Sequence, residues 1–312
     1  MDYLLVDGMN FAYRAHNAFF QNKTSDGTPS GMFYGVCVML QTLKKKHRNY
    51  KIVFVWDNKA EWKYEINPSY KEGRTKMSPL VYNQMEDIRS YLTACNVEQY
   101  EMKGQEADDV IATLVERYKA EENTGSIIIL SNDRDLLQLV ESGKVTVFKP
   151  KVGNTPEKYY DTDAVIERYG VPPEKLVEFR CIAGDDSDKI PGVPRNRRNL
   201  IAACVSEASN LEESFVLFKD SDMSEKEKER LVIFKSQAFE NYKIMKLCRD
   251  LKEVERTEVR PDVSLMGELL AKYEIKRIKP DLMYGLFMSS LNLKYTDAKP
   301  AYKLESFSLF EE

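Results

Sequence analysis

Hydrophobic positions in this chain form short continuous runs in the first half and helical periods in the second. Tyr3-Leu4-Leu5-Val6, Ile52-Val53-Phe54-Val55-Trp56 and Ile127-Ile128-Ile129-Leu130 are uninterrupted apolar stretches. Such runs suit strands buried on both faces, as in a parallel sheet covered by helices. Val145-Thr146-Val147-Phe148, after Gly143, is a further strand candidate. Between the runs the spacing predicts helices over 31–47 and 79–95, the second capped by Ser78 with Pro79 at its first position. Strand and helix patterns that alternate in this way imply βαβ units. The stretch 58–77 breaks the alternation. It is polar, poorly periodic and rich in Lys, Arg, Tyr and Glu, so it is either a surface loop or an element over the sheet edge. From Thr162 onward the pattern predicts only helices and turns. Thr162 caps a helix ending near Gly170, Pro172-Pro173 opens another to Ala183, and charged helical periodicity fills 200–295.

Each apolar run leads to an acid: the first to Asp7, the second to Asp57, the third to Asp133 and Asp135. Open parallel sheets place their sites beyond the carboxyl ends of the strands, so these carboxylates are expected at one edge. Gln105-Glu106-Ala107-Asp108-Asp109-Val110-Ile111 crowds three more acids into the first turn of a helix. One aspartate after a strand is often only a turn or cap, and acids in a first turn complement the helix dipole. So many together would repel one another and be forced to protonate unless cations held them ionised. The arrangement predicts a divalent-metal site.

Composition narrows the chemistry. The chain has 312 residues, 43% hydrophobic and 31% charged, which suggests a globular protein of two domains. No apolar stretch approaches the roughly 20 residues that span a bilayer, and the N-terminus lacks the pattern of a secretion signal. A cytoplasmic protein with no membrane partner, and a monomer, is expected. Cys37, Cys95, Cys181, Cys204 and Cys248 are scattered without a C-x-x-C pair, and His16 and His47 are the two histidines. Zinc, disulfide and His-triad chemistry are therefore set aside, and an oxygen-only site favours Mg²⁺ or Mn²⁺. The net charge is −4, yet Lys44, Lys45, Lys46, Arg48 and Lys51 form one acid-free basic cluster, and Lys189, Arg195, Arg197 and Arg198 form another.

Five blocks carry a resemblance: Asp7-Gly8, Tyr70-Lys71-x-x-Arg74, Glu106-Ala107-Asp108-Asp109, Asp133-x-Asp135 and Gly184-Asp185-x-x-Asp188-x-Ile190-Pro191-Gly192-Val193. In this order and spacing the chain resembles the structure-specific 5′ nucleases over about residues 1–195. That family holds the 5′-3′ exonuclease domain of bacterial DNA polymerase I, the phage 5′ exonucleases and ribonuclease H-type enzymes, and the eukaryotic flap endonucleases. The resemblance implies an α/β, PIN-like nuclease domain over 1–165, with a parallel sheet flanked by helices and an arch at 58–77. It also implies a helical DNA-binding extension of the helix–three-turn–helix type over 166–300 and a tail at 301–312.

By the same resemblance Asp7, Asp57, Glu106, Asp108, Asp133 and Asp135 would ring two Mg²⁺ ions, replaceable by Mn²⁺, with Asp109, Asp185 and Asp188 completing the cluster. Lys71 and Arg74 would be catalytic and, with Tyr70, would contact a single-stranded 5′ end at the base of the arch. Lys189, Arg195, Arg197 and Arg198 would grip duplex phosphates. The implied activity is 5′-3′ exonuclease and 5′-flap endonuclease on branched or nicked DNA and on RNA–DNA hybrid, for primer or flap removal. Relatives continue the Gly184–Val193 block into a Gly-x-Gly turn that holds K⁺. Here Arg195-Asn196-Arg197-Arg198-Asn199 follows, which counts against K⁺ and passes phosphate gripping to the arginines. Ser306-Phe307-Ser308-Leu309-Phe310 resembles a sliding-clamp-binding peptide, with Phe307, Leu309 and Phe310 as anchors. A PIN-type ribonuclease would be far shorter and lack the Gly184–Val193 block. A non-catalytic DNA-binding scaffold should have lost several carboxylates, and every matched position retains its acid.

Overall fold

The computed structural model describes residues 1–73, 78–151, 155–195 and 197–288. The three apolar runs become neighbouring parallel strands: β1 (Asp2–Asp7), β2 (Tyr50–Val55) and, after the short polar β3 (Glu98–Glu101), β4 (Ile127–Leu130). β5 (Val145–Lys149) lies parallel to β4, while β6 (Lys158–Tyr160) and β7 (Glu255–Thr257) close the two edges in antiparallel sense. The strand order is β6-β5-β4-β1-β2-β3-β7. The sheet is thus mostly parallel with antiparallel edge strands, and β7 lies in the stretch expected to hold helices and turns only.

Side chains of successive strand residues point to opposite faces. Tyr3, Leu5, Val53, Val55, Ile127 and Ile129 therefore enter one core, and Leu4, Val6, Ile52, Phe54, Ile128 and Leu130 the other. Burying a side chain such as Phe54 contributes about 2 kcal/mol, and uninterrupted apolar runs do this on both faces. Over the second face lie α1 (Gly8–Phe19), α2 (Gly31–Lys46) and, beyond the short α3 (Glu61–Ile66) and α4 (Pro79–Tyr82), α5 (Gln84–Ala94). The helix expected over 79–95 thus breaks between Tyr82 and Gln84, and the Ser78 side chain makes no cap bond. Over the first face lie α6 (Ala107–Lys119), α7 (Thr162–Tyr169), α8 (Leu176–Ala183), α9 (Arg198–Glu207), α10 (Leu211–Asp220) and α11 (Glu225–Met245). Asp161, not Thr162, caps α7 by accepting from Ala164 N, and a 3₁₀ turn at Pro173–Lys175 precedes α8. The chain then returns through β7 to α12 (Val263–Lys272) and α13 (Pro280–Met288), which pack on the second face with α2 and α5.

The chain passes from β1 outward through β2 and β3, then crosses to β4 on the other side of β1. That reversal is a topological switch point, where an open sheet forms a cleft at its carboxyl edge. Register fixes which residues meet there. Asp7 pairs with Val55 and Val6 with Leu130, so Asp7, Asp57 and the Ser131–Asp135 segment emerge at one edge.

Candidate metal centre

Asp7 ends β1 and caps α1. Asn10 N donates to its Oδ1 (2.9 Å) and Ser131 Oγ to its Oδ2 (2.8 Å), which ties β1 to β4 through the carboxylate. Ala107 N, the first amide of α6, donates to Asp57 Oδ1 (2.9 Å), so the end of β2 caps that helix and gains from its dipole. Asp133 is held by Ser131 Oγ at its own amide (3.0 Å) and accepts from Asp135 N (2.8 Å). Ligand oxygens of Asp108, Asp133 and Asp135 lie within 4.8 Å of one another. The expected convergence at the sheet edge thus holds for these three, with Asp7 and Asp57 on the same rim.

Two buried cations, neither singled out from the sequence, divide the remaining acids. Lys63 of α3 donates to Glu106 Oε2 (2.8 Å) and stands 3.3 Å from Asp109 Oδ2, an ion pair without hydrogen-bond geometry. Tyr70 OH (3.0 Å) and Lys71 Nζ (2.5 Å) also donate to Glu106. Arg180 of α8 forks between Asp135 and Asp185. The other oxygen of Asp185 accepts from Ser187 N (2.8 Å) and Ser187 Oγ (2.5 Å). Asp188 is buried on the same turn, and its carbonyl accepts from Lys71 N (3.3 Å), joining the 58–73 segment to the turn. Asp109 is turned away from the three-acid group: Cys248 N donates to its Oδ1 (2.8 Å). At the end of β5, Lys149 donates to Asn132 O (2.8 Å) beside Asp133, and burial brings its ammonium down to about 8.

The electrostatics follow this division. Burial, then the charge of Asp57, push Asp7 up to about 7. Burial lifts Asp135 to about 6 against the pull of Arg180. Burial and the neighbouring Asp133 push Asp108 well above the carboxylate range. Burial pushes Asp57 up too, against the bond from Ala107 N and the charge of Lys71. Glu106 goes the other way: burial opposes its charge, yet Lys63 and Lys71 hold it down at about 2. Asp185 is lowered too, because its bonds from Ser187 and the charge of Arg180 outweigh burial.

The other expected site residues occupy the rim. Tyr70 is buried, with its hydroxyl on Glu106. Lys189, Arg195, Arg197 and Arg198 are exposed around the turn and the start of α9. Arg197 is already engaged by both oxygens of Glu227 (2.8 and 2.9 Å), and Arg198 lies over the Phe179 ring, 5.4 Å from its centre. Lys44, counted with a basic cluster, is buried and donates to the carbonyls of Arg48 and Tyr50, both at 2.8 Å. Arg74 and the tail residues Phe307, Leu309 and Phe310 lie outside the described residues. Arg180 carried a signal in the sequence, since an arginine inside the apolar Leu176–Ala183 helix needs a buried partner. Lys63 carried none, because it sits among other lysines in a polar stretch.

The mostly parallel seven-stranded sheet flanked by helices is a fold like that of the flap nucleases. The solved flap endonuclease of bacteriophage T5, in complex with DNA and metal ions, superposes with a TM-score of 0.60 at 17% identity, over 93% of this chain and 99% of that one. Residues 2–170 match the family model described as 5′-3′ exonuclease, N-terminal resolvase-like domain. The chain is 31% identical over 284 residues to the 5′-3′ exonuclease of Aquifex aeolicus, covering 88% of this chain and 92% of that protein. It is also 31% identical over 310 residues to DNA polymerase I of Bacillus subtilis, covering 98% of this chain and 34% of the polymerase. The chain belongs to the 5′-3′ exonuclease family. It spans about a third of the length of that polymerase relative.

Proposed function

We propose that this protein is a Mg²⁺-dependent 5′-3′ exonuclease and 5′-flap endonuclease that hydrolyses phosphodiesters in DNA and in RNA–DNA duplexes, removing primers and flaps in replication and repair. One observation carries the reading: Asp108, Asp133 and Asp135 bring their oxygens within 4.8 Å of one another at the switch point, beside Asp7. The donor set fits a divalent ion. It is oxygen-only, which suits Mg²⁺ or Mn²⁺, and burial and neighbouring carboxylates push Asp7, Asp108 and Asp135 toward protonation, a cost that a bound cation relieves. Two such ions, when bound, would activate water and stabilise both the attacking and the leaving oxygens.

The chain's own groups do the rest. Asp7, Asp108, Asp133 and Asp135 would hold one ion, with Asp57, Glu106, Asp185 and Asp188 on the flanks for the second. Lys71, at the lip of the cleft on Glu106, and Arg74 would offset charge on the scissile phosphate. Lys189, Arg195 and Arg198 would hold duplex phosphates from the turn and the start of α9, within a helical DNA-binding part running from about residue 166. The T5 protein of the same fold is in complex with DNA and metal ions, which supports this reading. The test is cleavage of a labelled 5′-flap duplex in Mg²⁺, against blunt duplex and single strand. Cleavage at the flap junction that chelator abolishes is expected; binding without cleavage in Mg²⁺ or Mn²⁺ overturns it.

A further inference from the structure

We propose that the groove between α3 and the C-terminal end of α11 binds single-stranded nucleic acid, the 5′ arm of the substrate beyond the cleavage point. The inference rests on the nuclease reading above and adds a binding site to it. The groove has a volume of about 500 Å³ and is lined by Trp62, Tyr242, Lys243, Lys246, Leu247 and Arg249, with Asp109 also at its wall. That volume is in the range of small-ligand clefts.

Its chemistry suits a single strand. Trp62 and Tyr242 are half-buried aromatic faces over a buried Leu247, and every base can stack on such a face regardless of sequence. Tyr242, Lys243 and Lys246 share one side of a helix end by their three- and four-residue spacing, and Lys246 Nζ stands 5.3 Å from the Tyr242 ring centre. Lys243 and Lys246 are exposed, and among the described residues no carboxylate pairs with either. Arg249, by contrast, is engaged by Glu116 (3.3 Å) and the Gln138 carbonyl (2.9 Å), so it shapes the rim. Asp250 is an exposed acid at the outer end, paired at 3.9 Å with Lys252. Two unneutralised ammonium groups beside two aromatic faces form the combination that tracks a sugar-phosphate backbone while its bases stack.

Position ties the groove to the cleft. Trp62 precedes Lys63 on α3, and Asp109 follows Asp108 on α6, so the same two elements wall both sites. Lys63 spans the partition, with Glu106 on the cleft side and Asp109 on the groove side. A strand leaving the cleft past Lys71 and α3 would meet Trp62 first and then the two lysines.

The experiment compares two flap duplexes, one with a single-nucleotide 5′ arm and one with an arm of about a dozen nucleotides, for wild type and for K243E/K246E. Affinity is read by fluorescence anisotropy in Ca²⁺, so that it does not depend on cleavage. For the long arm the double variant should bind roughly tenfold more weakly. The slope of log affinity against log salt should fall by roughly 1.4, about 0.7 for each single-strand phosphate that the variant no longer neutralises. For the short arm, affinity and single-turnover cleavage in Mg²⁺ should match wild type, which also shows that the fold is intact. Trp62→Leu should reproduce the loss for the long arm, and Tyr242→Phe, which keeps the ring, should not. Equal loss on both arms, or none on either, overturns the groove assignment. Wild type that binds both duplexes and cleaves neither overturns the nuclease reading alone, since the affinity difference between arms is still read.

Discussion

Lys63 Nζ stands 2.8 Å from Glu106 Oε2, with 3% of the lysine side chain and 8% of the glutamate side chain exposed. Charges that deep are tolerated only when paired; removing Lys63 would leave Glu106 with Lys71 and Tyr70 alone and take from Asp109 the cation beside it. Lys63→Met should therefore destabilise the metal-free protein by about 3 kcal/mol and raise Glu106 from about 2 toward its ordinary range. Chemical denaturation with and without a divalent ion checks this, and added ion should return part of the loss. A change below about 1 kcal/mol would mean that the pair is no more than a surface bridge.

Arg180 joins the 3₁₀ turn that begins at Asp135 to the Asp185 turn with one planar group. A lysine supplies the charge but not the fork, so Arg180→Lys is not conservative here. We expect Arg180→Lys to lower stability by about 2 kcal/mol and Arg180→Met by about 4 kcal/mol. Thermal melts of the two variants should rank in that order. Equal melting of Arg180→Lys and wild type would refute the bridging role.

Gly192 is required by a close approach of two backbones. A Cβ at that position would lie 2.2 Å from the Ala183 carbonyl oxygen, where neither atom belongs to a flexible side chain. Gly192→Ala should force the turn apart, break the reciprocal Asp185–Ile190 backbone bonds (both 2.9 Å) and draw Asp185 off Arg180. The expected result is loss of several kcal/mol of stability, seen in denaturant melts. A variant as stable as wild type would show that the turn has room to shift.

These residues also show where the sequence was readable and where it was not. The strands β1, β2 and β4 are central and buried on both faces, so their apolar runs stood out, and the acids after them could be placed at one edge. β3, β6 and β7 are three or four residues long, polar, and at or near the sheet edges, so nothing in their composition separated them from loops. The Asp185–Val193 turn was legible through its resemblance to a family block, and the close backbone approach at Gly192 is a physical reason for the glycine in it. Asp109 was legible as an acid of the first turn, but not its orientation, since its partner Cys248 N is 139 residues away. Lys63 was invisible for the same reason: its partners are 43 and more residues along the chain.

The shifts of Asp7 and Asp135 set a pH dependence. Both rise from 3.8, to about 7 and about 6, so below pH 3.8 folded and unfolded chains both hold these protons and the two groups cost nothing. As pH climbs from about 4 to 7 the unfolded chain releases them first, and metal-free stability falls over that window. Glu106 acts in the opposite sense: its contribution is fully present above 4.5 and is lost as pH falls through about 2. A divalent ion must displace the protons on Asp7 and Asp135, so its affinity should rise toward pH 7 with proton release. Titration calorimetry in buffers of different ionisation enthalpy, near pH 5 and near pH 8, reads both quantities. Affinity independent of pH would contradict the assignment of these carboxylates as ligands.

If the carboxylates at the sheet's switch point hold the ions that cleave the phosphodiester, Asp133→Asn should fail in chemistry and not in binding. The decisive experiment is single-turnover cleavage of a 5′-flap duplex in Mg²⁺ by Asp133→Asn, beside wild type at matched DNA occupancy. Loss of a ligand should lower the rate by about a thousandfold, close to 4 kcal/mol of transition-state stabilisation, with DNA affinity little changed. Cleavage by Asp133→Asn within a few-fold of wild type would show that the ions are held elsewhere or are not needed.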